Sequence, residues 1–307
     1  MTVKIYDDGS SYAWTPELGK EGIIIRISKS TLTSVGWCAQ QMWLEHNYPK
    51  PQALAKHLVL GDDVHNGLDM FYQRLDNDST KKNISKILEN DGNLKKYLHQ
   101  FVPNQQDIIS NRREDNKPHP FYHEDYQRNM DWLMEYESLR MKMSKGALPL
   151  ANEVRIEVKV DMDIEGYGTI PIQFVGIIDR IFEAVDGGLM LFELKTGKWS
   201  NYKLGDMRKE MAYYKFLIEN CSSEYLQERG IDREVTYWGW RYSAADHWTI
   251  EKTKTTSQKA MRNQLEKLIK MYLDENFEIA KDNYNFSPCN YCDHMEMCPK
   301  YAIEVES

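Results

Sequence analysis

The run Ile177-Ile178-Asp179-Arg180-Ile181-Phe182, followed through Asp186-Gly187-Gly188 into Leu189-Met190-Leu191-Phe192-Glu193-Leu194-Lys195, decides how this chain is read. Two stretches of branched and aromatic residues flank a glycine-bearing turn, which is the pattern of a β-hairpin. Apolar residues stand at consecutive positions, so both faces of each arm are covered, as in central strands with helices on either side. Asp179, Glu193 and Lys195 interrupt that apolar run. Glu193 and Lys195 are two apart and share a face. With Asp186, Gly187 and Gly188 all in the loop, position 185 pairs with 189 and Asp179 falls opposite Lys195 on that same face; a two-residue loop would turn it away. Two carboxylates brought together repel and lose solvation unless something neutralises them. A divalent ion that prefers oxygen ligands, Mg²⁺ or Mn²⁺, would do so, polarising a phosphate and acidifying the attacking water. Lys195 would place that water or stabilise charge on the phosphorus oxygens. A buried acid pair bridged by Lys195 and Arg180, with no chemistry, accounts for the same residues.

Outward from the hairpin, strand-like runs occur at Glu153 to Met162, Ile172 to Val185, Val235 to Tyr242 and His247 to Lys252. Apolar residues three and four apart predict helices at Thr31 to His46, Leu54 to Leu75, Tyr122 to Lys145, Leu204 to Glu219 and Gln258 to Leu273. The polar stretch from Asn77 to Pro120, ending in Lys117-Pro118-His119-Pro120, reads as a helical insertion followed by an exposed loop. At 307 residues, 41% hydrophobic and 28% charged, the composition excludes a fibre, a coiled coil or a disordered tail. A formal net charge of −8 gives no global field to recruit nucleic acid, so any DNA contact must be local. The longest aliphatic run, Ile23-Ile24-Ile25, is too short to span a bilayer, no basic-then-apolar leader is present, and a cytoplasmic protein without membrane partners is expected. No Gly-rich phosphate loop occurs, so a motor would have to be another protein.

Four of the five cysteines fall into one spacing: Cys38, then Cys289-x2-Cys292-x5-Cys298. Three thiols within ten residues and a remote fourth can complete a tetrahedral set around zinc or hold an iron-sulfur cluster, and His294 offers zinc a substitute ligand. Either group would tie the two ends of the chain around the core. Cys221 belongs to no spacing and reads as an inert buried thiol.

Together these residues resemble the PD-(D/E)xK nuclease superfamily, and within it the RecB-like branch that includes the AddB nuclease domain and the CRISPR-associated Cas-four exonucleases. The resemblance implies a restriction-endonuclease-like α/β fold: a mixed central sheet flanked by helices, in one nuclease domain over 1–307, with the helical insertion at 77–120 and a cysteine cluster region at 28–46 plus 284–303. It implies that His65, in Gly61-Asp62-Asp63-Val64-His65, is a metal ligand beside Asp179 and Glu193, and that the backbone carbonyl of Leu194 completes the shell. Glu153 matches an acidic residue on the first strand, its role open. The branch's Gln-x-x-x-Tyr helix corresponds to Glu210-Met211-Ala212-Tyr213-Tyr214, with glutamate in place of glutamine; Glu210 and Tyr214 share a helix face toward the scissile phosphate. For Cys38, Cys289, Cys292 and Cys298 it implies a [4Fe-4S] cluster, with Zn²⁺ the rival. Lys198, Trp199, Tyr202, Lys203 and Arg208 mix cations and rings, which suits single-stranded DNA, although a solvated helix start explains them as well. The expected activity is a metal-dependent exonuclease on single-stranded DNA or DNA ends, in recombination, repair, replication or CRISPR adaptation, working beside a helicase or another protein of such a pathway, in a cell or in the host cytoplasm of a virus. The alternative is a catalytically silent DNA-binding adaptor with the same fold and cluster.

Overall fold

A computed structural model describes residues 25–34, 38–48, 55–90, 92–114, 116–222, 224–245, 247–280, 289, 292 and 294–302. The expected helix start at Leu54 and parts of the regions 28–46 and 284–303 lie outside the described residues. Its centre is a six-stranded mixed sheet of β1 (Ile25–Ser28), β2 (Ala151–Ile164), β3 (Gly168–Glu183), β4 (Leu189–Lys195), β5 (Val235–Tyr242) and β6 (His247–Lys252), flanked by helices. The expected α/β class is therefore observed.

β3 organises the sheet. Along one edge it pairs antiparallel with β2. Along the other it pairs first with β1, parallel, at Ile172 to Val175, and then with β4, antiparallel, at Arg180 to Glu183. The directions of these pairings mean that β1 and β4 run toward each other, and their C-terminal ends meet across residues 176–179 of β3, where neither pairs.

The hairpin closes differently from the expected three-residue loop. Glu183 pairs with Leu189, leaving residues 184–188 as the loop. Inside it the Ala184 N–H still reaches the Gly188 carbonyl at 2.9 Å, and the Asp186 carboxylate accepts the Gly188 N–H at 3.2 Å and the Thr236 hydroxyl at 2.8 Å, leaving Val185 exposed. Gly188 must be glycine, since a Cβ there would come within 2.5 Å of Thr236 Oγ1. Extended by one pair, this register sets Asp179 opposite Glu193 rather than Lys195. A shift of two residues keeps every side chain on its face, so the expected convergence survives the corrected register.

Two cores cover the two faces of the sheet. On one, α8 (Leu204–Glu219) and α10 (Thr255–Leu273) pack with Ile178, Ile181, Leu189 and Leu191. α8 approaches closely because position 176 is glycine: a Cβ there would lie 2.5 Å from Leu217 Cδ1 and 3.2 Å from Tyr214 Cε1. On the other, α3 (Lys56–Leu75) and α7 (His123–Met143) build a second core with Leu194. The segment expected as an insertion folds as α4 (Asp78–Glu89), α5 (Leu94–Leu98) and α6 (Gln105–Asn111), and it buries Ile84, Leu94, Leu98 and Ile108 in that second core. It is therefore part of a hydrophobic unit, and only its tail is a loop. Toward the N-terminus the expected helix from Thr31 to His46 is two helices, α1 (Lys29–Ser34) and α2 (Ala39–Asn47). Cys38, in an extended conformation, caps α2 by accepting the Gln41 N–H.

Candidate active site

The site occupies the place where β3 and β4 part. Their ladder ends at Arg180 and Phe192, and beyond it the Leu194 N–H donates to Asp179 Oδ2 at 2.6 Å instead of to a strand carbonyl. Asp179 and Glu193 are both buried; burial and the neighbouring Asp179 charge disfavour the Glu193 carboxylate, but the Lys195 and Lys29 ammonium groups outweigh them and hold its pKa below the ordinary value. Arg180, one residue on, points to the opposite face and pairs with the fully buried Glu137 at 3.3 Å. It does not bridge the acid pair, which removes one half of the purely structural explanation.

Glu153 lies opposite Asp179 on β2. The flanking pairs Asn152 with Arg180 and Val154 with Ile178 keep one register, yet Glu153 leaves the ladder at φ 46°. A non-glycine residue in the left-handed region costs on the order of 1–3 kcal/mol, and such strain concentrates at functional sites. Here the turn brings its carboxylate to His65 on α3, whose Nδ1 lies 3.2 Å from Glu153 Oε1 and 3.5 Å from Asp179 Oδ1. On the same helix Gly61 faces Thr196, just past β4. One ligand atom each from His65, Glu153 and Asp179 lie within 4.8 Å of one another. Burial lowers the His65 pKa, but Asp179, Glu153 and Glu193 outweigh it and raise the imidazole to about 9. In this cluster a proton serves as the neutralising cation.

Glu193, 1% exposed, uses one oxygen heavily and leaves the other bare. Oε1 accepts from Lys195 and, at 3.0 Å, from Lys29; Oε2 is buried with no hydrogen-bond partner. A buried carboxylate oxygen without a donor beside a histidine and two further acids suits a hard divalent cation. The residues present therefore fit Mg²⁺ or Mn²⁺.

α8 adds the other wall. Glu210 Oε1 accepts from Lys195 at 2.7 Å and from Lys29 at 2.8 Å. Tyr214 is buried, its ring 5.6 Å from the Lys29 ammonium. Burial and the Glu193 charge raise its hydroxyl pKa well above the ordinary 10. Burial disfavours the charge of Lys195, yet Glu193 and Glu210 raise its pKa above the ordinary value, so it remains an ammonium. Lys29 is raised in the same way. Lys29 is the site residue that the sequence reading lacked. It directly follows β1, a four-residue strand in which apolar and polar residues alternate.

Among the residues expected to meet DNA, the exposed Tyr202 and Lys198 flank the half-buried Trp199, which stacks on His247 with ring centroids 4.0 Å apart. Lys203 donates to the Lys198 carbonyl at 2.6 Å and lies 5.3 Å from the Tyr242 ring centroid. Arg208 stands apart from them: it makes a two-pronged pair with Glu251, both contacts at 2.7 Å. Its guanidinium fixes α8 to β6, contrary to a DNA-facing role.

Cys38, Cys289, Cys292 and Cys298 line one small pocket with Leu44, Ile279 and Met295. Burial pushes the Cys292 thiol up, and the other three cysteines add to the shift. Cys38 Sγ also accepts the N–H groups of Gln41 and Ala280, each at 3.4 Å. Lys300 Nζ lies 3.7 Å from Cys289 Sγ. The buried His294 gives its backbone N–H to Cys292, and its Nδ1 is buried without a hydrogen-bond partner. Cys221 is half-buried at the edge of the main core rather than enclosed.

A family model described as the PD-(D/E)XK nuclease superfamily matches residues 26–299. Among solved structures, the crystal structure of SSO0001 aligns with a TM-score of 0.40 and 13% identity over 92% of this chain and 90% of that chain. No curated protein matches the chain.

Proposed function

Because the chain belongs to the PD-(D/E)XK nuclease superfamily, we propose that it is a metal-dependent deoxyribonuclease, an exonuclease of the RecB-like kind acting on single-stranded DNA or DNA ends. The observation that carries the reading is the convergence of His65, Glu153 and Asp179 beside the unpartnered Oε2 of Glu193. His65, Asp179 and Glu193 would hold Mg²⁺ or Mn²⁺, with Glu153 and the Leu194 carbonyl available to complete the shell. The bound ion supplies Lewis acidity toward the phosphate and lowers the pKa of a water.

The protein's own groups supply the rest. Lys195, kept protonated by Glu193 and Glu210, is a donor rather than a base: it orients the attacking water and stabilises charge on the phosphate oxygens. Tyr214 keeps its proton and donates to a phosphate oxygen. Glu210, held between two ammonium groups, fixes Lys195 in place. Beyond β4, Lys198 and Lys203 follow the backbone of a strand while Trp199 and Tyr202 offer rings to its bases. That mixture supports unpaired DNA or an end as substrate, in recombination, repair, replication or CRISPR adaptation, with a helicase or another protein of the pathway preparing it.

For the thiols the reading is a [4Fe-4S] cluster. The four thiols line one pocket, and three of them come from the Cys289-x2-Cys292-x5-Cys298 spacing that the resemblance ties to such a cluster. N–H donors to Cys38 Sγ suit iron-sulfur ligands as well.

The test is end-labelled single-stranded DNA incubated with Mn²⁺. Wild type is expected to release short products and to stop in EDTA, and Asp179→Ala and Lys195→Ala to lose at least on the order of 10²-fold in rate. Intact DNA with the wild-type protein would leave the adaptor reading standing. Absorbance near 400 nm and iron content of anaerobically purified protein decide between the cluster and zinc.

A further inference from the structure

Two-cation phosphodiesterases hold their ions about 3.5–4 Å apart on a shared carboxylate. Glu193 has the placement of such a carboxylate: one oxygen is left bare beside the His65 cluster, and the other is already taken by cations. Those cations are side chains. Lys29 and Lys195 each contact both Glu193 Oε1 and Glu210 Oε1, the two ammonium groups alternating with the two carboxylates. From this arrangement we infer that the Lys29 ammonium takes the place of a second divalent cation, so that the protein binds a single ion per chain. The inference deepens the nuclease reading and rests on it.

Lys29 is held there by the fold. It is the first residue after β1, whose pairing with β3 stops at Ser28. The Ser28 hydroxyl accepts the Thr31 N–H at 3.1 Å, fixing the turn from which Lys29 projects, and the Tyr214 ring lies under its ammonium. Charge balance agrees. The carboxylates of Glu153, Asp179, Glu193 and Glu210 face two ammonium groups, and one divalent ion with a neutral His65 balances the remainder. A second ion would leave excess positive charge in a buried site. Glutamate rather than glutamine at position 210 belongs to the same device, because an amide could not bind two ammonium groups as a charge partner.

The test needs no substrate. Mn²⁺ is titrated into the metal-free full chain, with bound ion measured by calorimetry and free Mn²⁺ by electron paramagnetic resonance. The soft cysteine ligands do not compete for Mn²⁺. Wild type is expected to bind one ion and Lys29→Ala two. Lys29→Arg, which keeps the charge, should stay at one, and Lys29→Ala combined with Glu210→Gln should return to one. Should Lys29→Ala not fold, Lys29→Met keeps the aliphatic stem and is read the same way. Two ions in wild type, or one in the neutral variant, overturns the inference while leaving the nuclease reading intact. No bound ion in wild type overturns both.

Discussion

His65 is where the electrostatics of the site are most exposed to experiment. Its folded pKa, about 9, lies above the ordinary 6.5, so in metal-free protein the imidazolium contributes stability that is fully present below about pH 6.5. That contribution is lost as pH rises through 9. The urea midpoint of wild type in EDTA should therefore fall between pH 6.5 and 9 more steeply than that of His65→Gln; parallel curves would contradict the ion triad. At this scale the sequence was informative where residues shared a local pattern. Asp179, Glu193 and Lys195 lie on one hairpin, and strand alternation alone puts them together. Lys29 follows a four-residue strand, and only the long-range pairing of β1 with β3 brings it to Glu193, 164 residues away. No periodicity encodes that approach. Arg208 illustrates the converse: a cation that looked free in the sequence has its partner on β6.

At the scale of elements, α3 must be held firmly for His65 to meet Asp179. Two residues before His65, Asp63 forms a two-pronged ion pair with Arg112, at 2.7 and 2.6 Å, with both side chains 2% exposed. Arg112 also donates to the carbonyls of Asn116, His119 and Pro120, so one guanidinium clamps the loop after α6 onto α3. Removing one partner of a buried pair strands the other charge and costs about 3–5 kcal/mol. Arg112→Met should therefore lower the unfolding free energy by that amount and weaken Mn²⁺ binding, whereas Arg113→Met, at an exposed pair with Asp62, should change neither measurably. Elements with strong periodicity were legible to their ends: β4, β5, β6 and α8 have the predicted bounds. The failures came from side chains acting on the backbone. Asp186 braces the hairpin turn and Cys38 caps a second helix, and hydrophobic patterning carries neither effect.

For the molecule as a whole, the cysteine pocket joins the α1–α2 region to the C-terminal segment, segments more than 240 residues apart in sequence. Closing so long a loop restricts the unfolded chain strongly. Cys38→Ser and Cys298→Ser are expected to abolish absorbance near 400 nm and lower the thermal midpoint, while the folded fraction still binds Mn²⁺ at His65. Loss of both properties together would make the pocket part of the catalytic centre. The spacing of the thiols was legible in the sequence, but the identity of what they hold depends on how far apart folding leaves them.

The head-to-head meeting of β1 and β4 against β3 has a consequence for the protein's synthesis. Lys29 precedes its partner Glu210 on α8 by some 180 residues, so the alternating group of Lys29, Lys195, Glu193 and Glu210 is complete only once that helix has been made.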